Sequence, residues 1–314
     1  MRIVIAGGGG LLGKALTAAC TADGHEVAIL TRSLPPGATS GAGTAGSAVS
    51  RVGWEPDGTA GSWHAALAGA DAVVNLAGAG LADHRWTDAR KALIRDSRLQ
   101  ATRSLVAALA TLERRPEVLI SASAVGYYGP SGDEPLTETS PPGDDVLATL
   151  CQAWEAEARR AEQLSMRVSL IRTGIVLDRS GGALPPMLTP FRFFVGGRIG
   201  SGRQFMSWIH HRDWVELVRW VLATPAAGGA INATAPEPVS NRDFARSLGR
   251  ALGRPALVPA PALALKILLG EMAGPLVLTG QRVLPARALA LGYRFQYIDL
   301  DAALADVLGT ERPR

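Results

Sequence analysis

Cysteine, lysine and tyrosine are scarce in this chain of 314 residues. Its two cysteines, Cys20 and Cys151, both lie in helix-like segments, which argues against a disulfide framework and favours a reducing, cytoplasmic environment. Long apolar runs are also missing, since no stretch approaches the roughly 18 residues that a membrane span requires. The apolar run at the N-terminus is too short for a signal peptide. We therefore expect a cytoplasmic protein without a membrane partner.

The charge pattern excludes a second class of partner. The formal net charge is +4 and the basic residues are spread along the chain, without the aromatic-interleaved basic stripe of a nucleic-acid-binding surface. With 47% apolar residues, the chain can bury a large core in one or two domains. We expect a small-molecule substrate and no nucleic-acid partner, and the sequence carries no signal for the oligomeric state.

Glycine is abundant, and its most informative occurrence is the cluster within the first fourteen residues. The apolar run Ile3 to Ile5 is followed by four glycines, then by a helix-like segment. Strand, glycine turn and helix open a dinucleotide-binding unit, in which the helix N-terminus presents free N–H groups to a pyrophosphate. Two registers fit the motif: Gly8, Gly10 and Gly13, or Gly7, Gly10 and Gly13.

The end of the second predicted strand, Glu26 to Leu30, indicates which dinucleotide binds. NAD sites usually place an Asp or Glu there to bind the ribose 2′-hydroxyl. This chain has Thr31, Arg32 and Ser33 instead. A guanidinium suits a 2′-phosphate, which a carboxylate would repel. We therefore predict NADP as the cofactor.

Strands and helices alternate along the rest of the first half. Strands are predicted at 72–78, 117–120 and 168–172, and helices at 63–68, 88–112 and 146–164, while residues 34–62 are predicted mainly as a loop. This alternation predicts an α/β fold with a doubly wound, Rossmann-type parallel sheet. We assign residues 1–175 to an NADP-binding domain and 176–314 to a smaller substrate lobe, whose helical C-terminal segment begins near 255.

Several of these segments resemble a known family. AGGGGLLG, the later NLAG and SASAVGYYG resemble the extended short-chain dehydrogenases/reductases, of the nucleotide-sugar epimerase group. The long motifs WEPDG, NLAGAGLADHRWTDARKALIRDSRLQATRSL and GEMAGPLVLTGQRVLPARALALGYRF are similar to an epimerase-like branch that ends in a domain of unknown function. The resemblance covers essentially the whole chain, and it implies a cofactor at the carboxyl edge of the sheet.

We expect the cofactor to contact the glycine turn, the strand ends and one loop arginine. These residues are Gly7, Gly10, Leu11, Leu12, Gly13, Thr31, Arg32, Ser33, Leu76, Ala77, Gly78, Arg85, Ser121 and Ala122.

The chain departs from the family in its chemistry. The wider family uses a Ser or Thr, with a Tyr and a Lys four residues later, the tyrosine being the acid/base. No Tyr-x-x-x-Lys occurs here, because the only lysines are Lys14, Lys91 and Lys266. Ser123 matches the family's serine, and it either orients a substrate hydroxyl or closes a strand end. Tyr127 and Tyr128 are the candidate proton donors, provided that an arginine such as Arg85 lies beside them.

Other polar candidates carry less weight. Cys151 and Glu155 occupy the slots of the missing pair, but a lone helical cysteine is usually inert, and Glu155 is expected on the solvated helix surface unless it acts as a base. His210, His211 and Asp213 are not expected to bind metal. The sequence thus predicts an atypical NADP-dependent oxidoreductase or epimerase acting on a small polar, sugar-like molecule. The alternative is an NADP-binding sensor or scaffold without catalysis.

Overall fold

A parallel sheet of seven strands forms the centre of the protein, for which a computed structural model describes residues 1–34 and 48–310. The strands are β1 Arg2–Ala6, β2 Glu26–Thr31, β3 Val49–Gly53, β4 Ala72–Asn75, β5 Val118–Ala124, β6 Pro135–Leu136, β7 Arg167–Thr173, β8 Ile175–Leu177, β9 Phe205–Met206, β10 Trp208–His210, β11 Gly229–Ala233, β12 Val239–Ser240 and β13 Arg282–Val283. The order across the sheet is β11-β7-β5-β4-β1-β2-β3, with every neighbouring pair parallel. The direction of winding reverses between β1 and β4, as in a doubly wound fold.

Helices cover both faces of this sheet. The α-helices are α1 Leu11–Ala22, α2 Asp88–Ala110, α3 Val146–Arg159, α4 Leu184–Arg192, α5 His211–Ala223, α6 Asn241–Leu252, α7 Ala262–Leu269, α8 Ala286–Ala290 and α9 Leu300–Leu308. Short 3₁₀ turns span Ser62–Leu67, Val125–Tyr128, Arg160–Leu164 and Gly270–Met272, and a single π turn spans Gly274–Leu278. The predicted Rossmann-type α/β fold is confirmed.

Successive side chains of β1 point to opposite faces of the sheet, and apolar residues on both faces explain why helices cover both. Ile3 and Ile5 point into a core shared with α1 and α5, whereas Val4 and Ala6 point into a second core shared with α2. All four side chains are fully buried. A parallel strand that is buried on both faces has a nearly continuous apolar sequence, which is why the segment RIVIA could be predicted as a strand.

The sheet extends beyond the segment assigned to the cofactor-binding domain. Strand β11 pairs with β7 through the register Ile231↔Ile171, and α5 packs beside α1 on one face. Residues after 175 therefore contribute both a strand and a helix to the central layer. Side chains of β8, β10, α4, α6 and α9 form a separate core that includes Leu188, Trp208 and Phe244. The division into two domains at residue 175 stays a prediction.

The edge strand β3 corrects the predicted loop at 34–62. Its sequence, VSRVG, has only two apolar side chains, because an edge strand that is partly exposed needs few. The rest of that loop between 35 and 47 lies outside the described residues. Across the described ranges 1–34 and 48–310, no helix is both long and apolar enough to cross a membrane.

Candidate functional site

The glycine turn connects β1 to α1 with geometry that only small residues allow. Gly7 has φ of +81°, and a Cβ there would lie 2.7 Å from the backbone carbonyl of Leu76. A Cβ on Gly13 would overlap the Gly7 carbonyl oxygen, whereas one on Gly9 would meet nothing within 4 Å. The turn closes through a 3.0 Å hydrogen bond from Gly10 N–H to that same oxygen. A Cβ on Gly8 would lie 2.8 Å from the Ile29 side chain, so Gly7, Gly8 and Gly13 are the positions of this turn where a side chain has no room.

The start of α1 has the features of an anion site. Gly10 is its N-cap, no side chain caps the helix, and no acidic residue lies in its first turn. The first N–H groups, at Leu11 and Leu12, have no intrahelical acceptor and carry the positive end of the helix dipole. Bare glycine backbone beside a helix N-terminus fits a pyrophosphate.

A second glycine pair, which sequence reasoning missed, borders this turn. Gly181 and Gly182 lie in the loop between β8 and α4, where an added Cβ on either would make an ordinary van der Waals contact of 3.4–3.5 Å with the Leu11 side chain. The only signal for this loop in the sequence was its Gly-Gly pair.

The predicted 2′-phosphate residues form a small turn at the end of β2. Thr31 Oγ1 donates to the carbonyl of Ser33 at 3.1 Å and accepts from its N–H at 3.3 Å. This local closure leaves Arg32 exposed, on the same edge of the sheet as the glycine turn. A cation in this position can reach a phosphate on the adenosine ribose.

The end of β4 borders the glycine turn, with Leu76 and Ala77 half-buried and Gly78 exposed. The buried Asn75 side chain orders this bend, since its Oδ1 accepts from Ala77 N–H at 3.2 Å and its Nδ2 donates to Thr102. Arg98, which sequence reasoning also missed, lies beside Gly78 and donates to the carbonyl of Ala79 at 3.0 Å. Burial lowers the pKa of Arg98. No motif in α2 singles this arginine out.

The end of β5 carries Ser121, Ala122 and Ser123. Ser121 is fully buried, Ala122 is half-buried, and the Ser123 hydroxyl donates to Glu155 Oε1 at 2.7 Å. The predicted solvated position of Glu155 is wrong, because the side chain is only 4% exposed. Its burial is explained by a strand residue that the helical pattern could not reveal.

That residue is Arg172, which lies opposite Ser123 in the pairing of β5 with β7. Its Nε and Nη2 donate to the two oxygens of Glu155 at 2.8 and 2.9 Å, a bidentate ion pair. Burial is the largest single effect and opposes the charge on Arg172, but the hydrogen bonds and charge interactions with Glu155 and Tyr128 together outweigh it and raise the arginine pKa above its usual value. The slot of the family's lysine thus holds an acid that is neutralised by a buried arginine.

The two tyrosines meet the same guanidinium in different ways. Tyr128 is buried, accepts from Arg172 Nη1 at 2.9 Å and donates to Asn232 Oδ1 at 2.7 Å. Burial raises the pKa of Tyr128 to about 12, against the opposing charge of Arg172. Tyr127 is half-buried, and its ring lies 3.4 Å below the guanidinium carbon. The cationic neighbour that the sequence required is therefore Arg172 and not Arg85.

Arg85 does not lie beside Tyr127 and Tyr128, where the sequence predicts a cationic neighbour. It is exposed and donates to the carbonyl of Ile267 at 3.2 Å, against the C-terminal segment. The neighbouring Trp86 packs into a small cluster with Ile94, Leu147 and Met272. A role for Arg85 in cofactor binding stays a prediction, as do the other contacts predicted from sequence.

The remaining polar candidates have structural partners. Cys151 is buried, and burial raises its pKa to about 12. His210 caps α5 and bonds to Asp306, while Asp213 accepts from the backbone N–H groups of Gln296 and Tyr297. Among residues 1–34 and 48–310, no group of three His, Cys, Asp or Glu could hold a metal ion.

Comparison with known protein families identifies this arrangement. The model described as "NAD dependent epimerase/dehydratase family" matches residues 3–176, and a domain of unknown function (DUF1731) matches 260–307. The chain belongs to the NAD dependent epimerase/dehydratase family. The recognition of an epimerase-like branch with an additional C-terminal domain is thereby confirmed.

Full-length relatives agree with this membership. The epimerase family protein SDR39U1 of Bos taurus is 39% identical over 98% of this chain and 100% of its own length. The chloroplastic SDR39U1 homolog of Arabidopsis thaliana is 40% identical over 98% of this chain and 87% of its own length. The crystal structure of human epimerase family protein SDR39U1 (isoform 2), solved with NADPH, superposes with a TM-score of 0.87 at 35% identity, over 99% of this chain and 100% of that one.

Proposed function

We propose that this protein binds NADP(H) at the carboxyl edge of its sheet and uses it in hydride transfer on a small polar molecule. The observation that carries the proposal is the tight turn at Gly7 and Gly13, where an added Cβ would collide with the protein's own backbone, beside the uncapped start of α1. Exposed Arg32 supplies a cation for a 2′-phosphate. The human relative that superposes over the full chain was crystallised with NADPH, which supports the same cofactor here.

The candidate proton donor is chosen from the polar side chains near the end of β5. When bound, the nicotinamide would supply or accept the hydride. Ser123 and Tyr128 already have buried partners in Glu155, Arg172 and Asn232. Tyr127 is the half-buried residue of this group whose hydroxyl has no hydrogen-bond partner among the described residues, and the Arg172 guanidinium is stacked on its ring. We therefore assign the proton transfer to Tyr127, with Ser123 and Glu155 holding Arg172 in place.

The cofactor assignment is tested by calorimetric titration with NADPH and NADH. We expect tighter binding of NADPH, and an Arg32→Ala variant should lose that preference by about tenfold or more, because a charge-assisted contact to phosphate disappears. Arg114→Ala is the matched control, since this exposed arginine precedes β5 at the opposite edge of the sheet. Equal affinities that ignore the Arg32 substitution would contradict the assignment.

Turnover is tested by measuring NADPH oxidation and NADP reduction across sugar nucleotides, aldehydes and ketones. On a responsive substrate, Tyr127→Phe should lower kcat while NADPH binding persists, and Ser123→Ala should lower it less. Tyr297→Phe serves as the control, because Tyr297 lies in the C-terminal segment beside Arg212. Wild-type turnover in Tyr127→Phe would remove the proton-transfer role.

A second function is favoured by one observation. Ser123 and Tyr128, two of the three predicted catalytic residues, are each only 4% exposed and hydrogen-bonded to protein partners. A protein with this arrangement can bind NADP(H) as a sensor or scaffold without transferring a hydride. High-affinity NADPH binding together with no turnover in the whole screen would select this alternative.

A further inference from the structure

Helix α7 is unusual among the described helices because it buries none of its residues. Leu263, Ile267 and Leu268 are 71%, 69% and 67% exposed, and only Lys266 interrupts its apolar sequence ALALKILL. Leu263 and Ile267 are four residues apart and so lie on one side of the helix. Surface helices of water-soluble domains turn such a side toward the core. Here it is turned outward.

A second exposed apolar group adjoins the segment that leads into α7. Leu257 is 83% exposed, and Phe193 in the loop after α4 is 73% exposed. Backbone hydrogen bonds tie the two segments together, from Val258 N–H to the Gly196 carbonyl and from Ala260 N–H to the Arg198 carbonyl. We call residues 193–195 and 257–268 together the apolar ledge.

The backbone at Phe194 shows that this exposure is held in place. Phe194 has φ of +60° directly after the C-cap of α4, a position where glycine is the favoured residue. A bulky side chain in that conformation is disfavoured. The ring nevertheless projects to solvent, with the Arg254 guanidinium 4.3 Å from its centre. Strain kept at an exposed aromatic residue points to a function for it.

The two chain segments that carry the ledge contain no carboxylate. The sequence contains 28 Asp and Glu residues, yet none occurs from Arg179 to Arg212 or from Phe244 to Gly270. Arg192, Arg254 and Lys266 on the ledge or at its border are exposed, and none of them joins an ion pair among the described residues. The ledge therefore offers apolar and cationic groups together and no carboxylate of its own.

We propose that the apolar ledge docks this protein on the surface of an anionic lipid bilayer. Leucine, isoleucine and phenylalanine side chains can enter the boundary between headgroups and acyl chains, while arginine and lysine meet the lipid phosphates. A nucleic acid would match the cations but would leave the aliphatic side chains exposed. A second copy of the same ledge would match the apolar residues but would bring cation against cation.

Surface docking does not need a spanning segment. A helix lying in the plane of the interface requires one apolar side, not about 20 apolar residues in a row. Helix α7 has eight residues, which is far too short to cross a bilayer. The sequence-based expectation of no membrane partner depended on the absence of long apolar runs, a criterion that cannot detect such a surface.

The proposal is tested by co-sedimentation of the full chain with vesicles of phosphatidylcholine containing about one-third phosphatidylglycerol, and with pure phosphatidylcholine vesicles. We expect binding to the anionic vesicles that weakens as salt rises. The double variant Ile267→Gln/Leu268→Gln should reduce the partition coefficient by about tenfold or more, because two apolar side chains no longer transfer from water. Arg254→Ala/Lys266→Ala should reduce it on the anionic vesicles only.

Two controls separate docking from loss of folding and from self-association. Leu289→Gln/Ile298→Gln changes two exposed apolar residues outside the ledge and should bind vesicles as the wild type does. NADPH affinity, measured for every variant, reports an intact fold. Failure to bind anionic vesicles overturns the proposal, as does equal binding to both vesicle types. A dimer in light scattering that Ile267→Gln/Leu268→Gln converts to a monomer, without vesicle binding, assigns the ledge to a second copy instead.

Discussion

Both carboxylate oxygens of Glu155 accept hydrogen bonds from the guanidinium of Arg172 in the interior, beside the end of β5. The side chains are 4% and 3% exposed. This ion pair joins a helix to a strand and also fixes Ser123 and Tyr128 through further hydrogen bonds. We therefore expect the pair to contribute to the stability of the fold.

Removing one partner of this buried pair should be strongly destabilising. We expect Arg172→Met to lower the free energy of unfolding by about 3–5 kcal/mol, because the Glu155 carboxylate would be left buried without its cation. The double variant Glu155→Leu/Arg172→Met should be more stable than Arg172→Met alone. Urea denaturation measures both values. The control is Arg103→Met, which breaks the more exposed pair with Glu157 and should cost less than about 1 kcal/mol.

The glycines of the turn and of the start of α1 should differ sharply in their tolerance of a methyl group. Gly13→Ala should destabilise the protein by about 1–3 kcal/mol, because the new Cβ overlaps the backbone of Gly7 and Gly8. Gly9→Ala should change the unfolding free energy by less than about 0.5 kcal/mol, since nothing lies within 4 Å. Thermal unfolding of the two apo variants makes the comparison. Similar destabilisation of both would show that the turn is not packed as described.

Acid should weaken the attachment of the C-terminal segment through His210. Burial lowers the pKa of this histidine to about 4, despite the attraction of Asp306, while His211 and Arg212 disfavour its charge further. Unfolded histidine titrates near 6.5, so between about pH 6.5 and pH 4 the unfolded chain binds a proton that the folded chain does not. The His210 contribution to stability is therefore complete above about pH 6.5 and is lost as the pH falls toward 4.

His210→Asn keeps an N-cap for α5 but removes the titration. The difference in unfolding free energy between wild type and this variant should shrink as the pH falls through that window. His84→Gln, at an exposed histidine, is the control substitution. A pH-independent difference for His210→Asn would refute the assignment.

The two cysteines should be unreactive in the native state. Burial raises the pKa of Cys20 to about 11 and that of Cys151 to about 12, so almost no thiolate forms near neutral pH. Titration with a chromogenic disulfide reagent should detect essentially no thiol in the native protein at pH 7.5 and both thiols after denaturation. Rapid labelling of Cys151 under native conditions would instead reopen a nucleophilic role for it.

The parts of this structure that were predictable from sequence are those with local signatures. The buried run in β1, the glycine turn and the position of Arg32 follow from periodicity and residue size within about 30 residues of chain. The pairing of Glu155 with Arg172 does not, because it depends on strand order, which places β7 beside β5. Periodicity likewise missed β3, whose Ser50 and Arg51 interrupt the apolar pattern. Arg98 was missed because an arginine within a long helix has no distinguishing spacing.

The position of β11 has a consequence for how the chain can fold during synthesis. Until residue 233 has left the ribosome, β7 is an open edge whose N–H and C=O groups can pair with any extended neighbour. Helix α5, which covers one face of the sheet beside α1, also arrives late. A nascent chain of 175 residues would therefore present one unpaired sheet edge and one incompletely covered sheet face, the kind of surface through which partly synthesised chains aggregate.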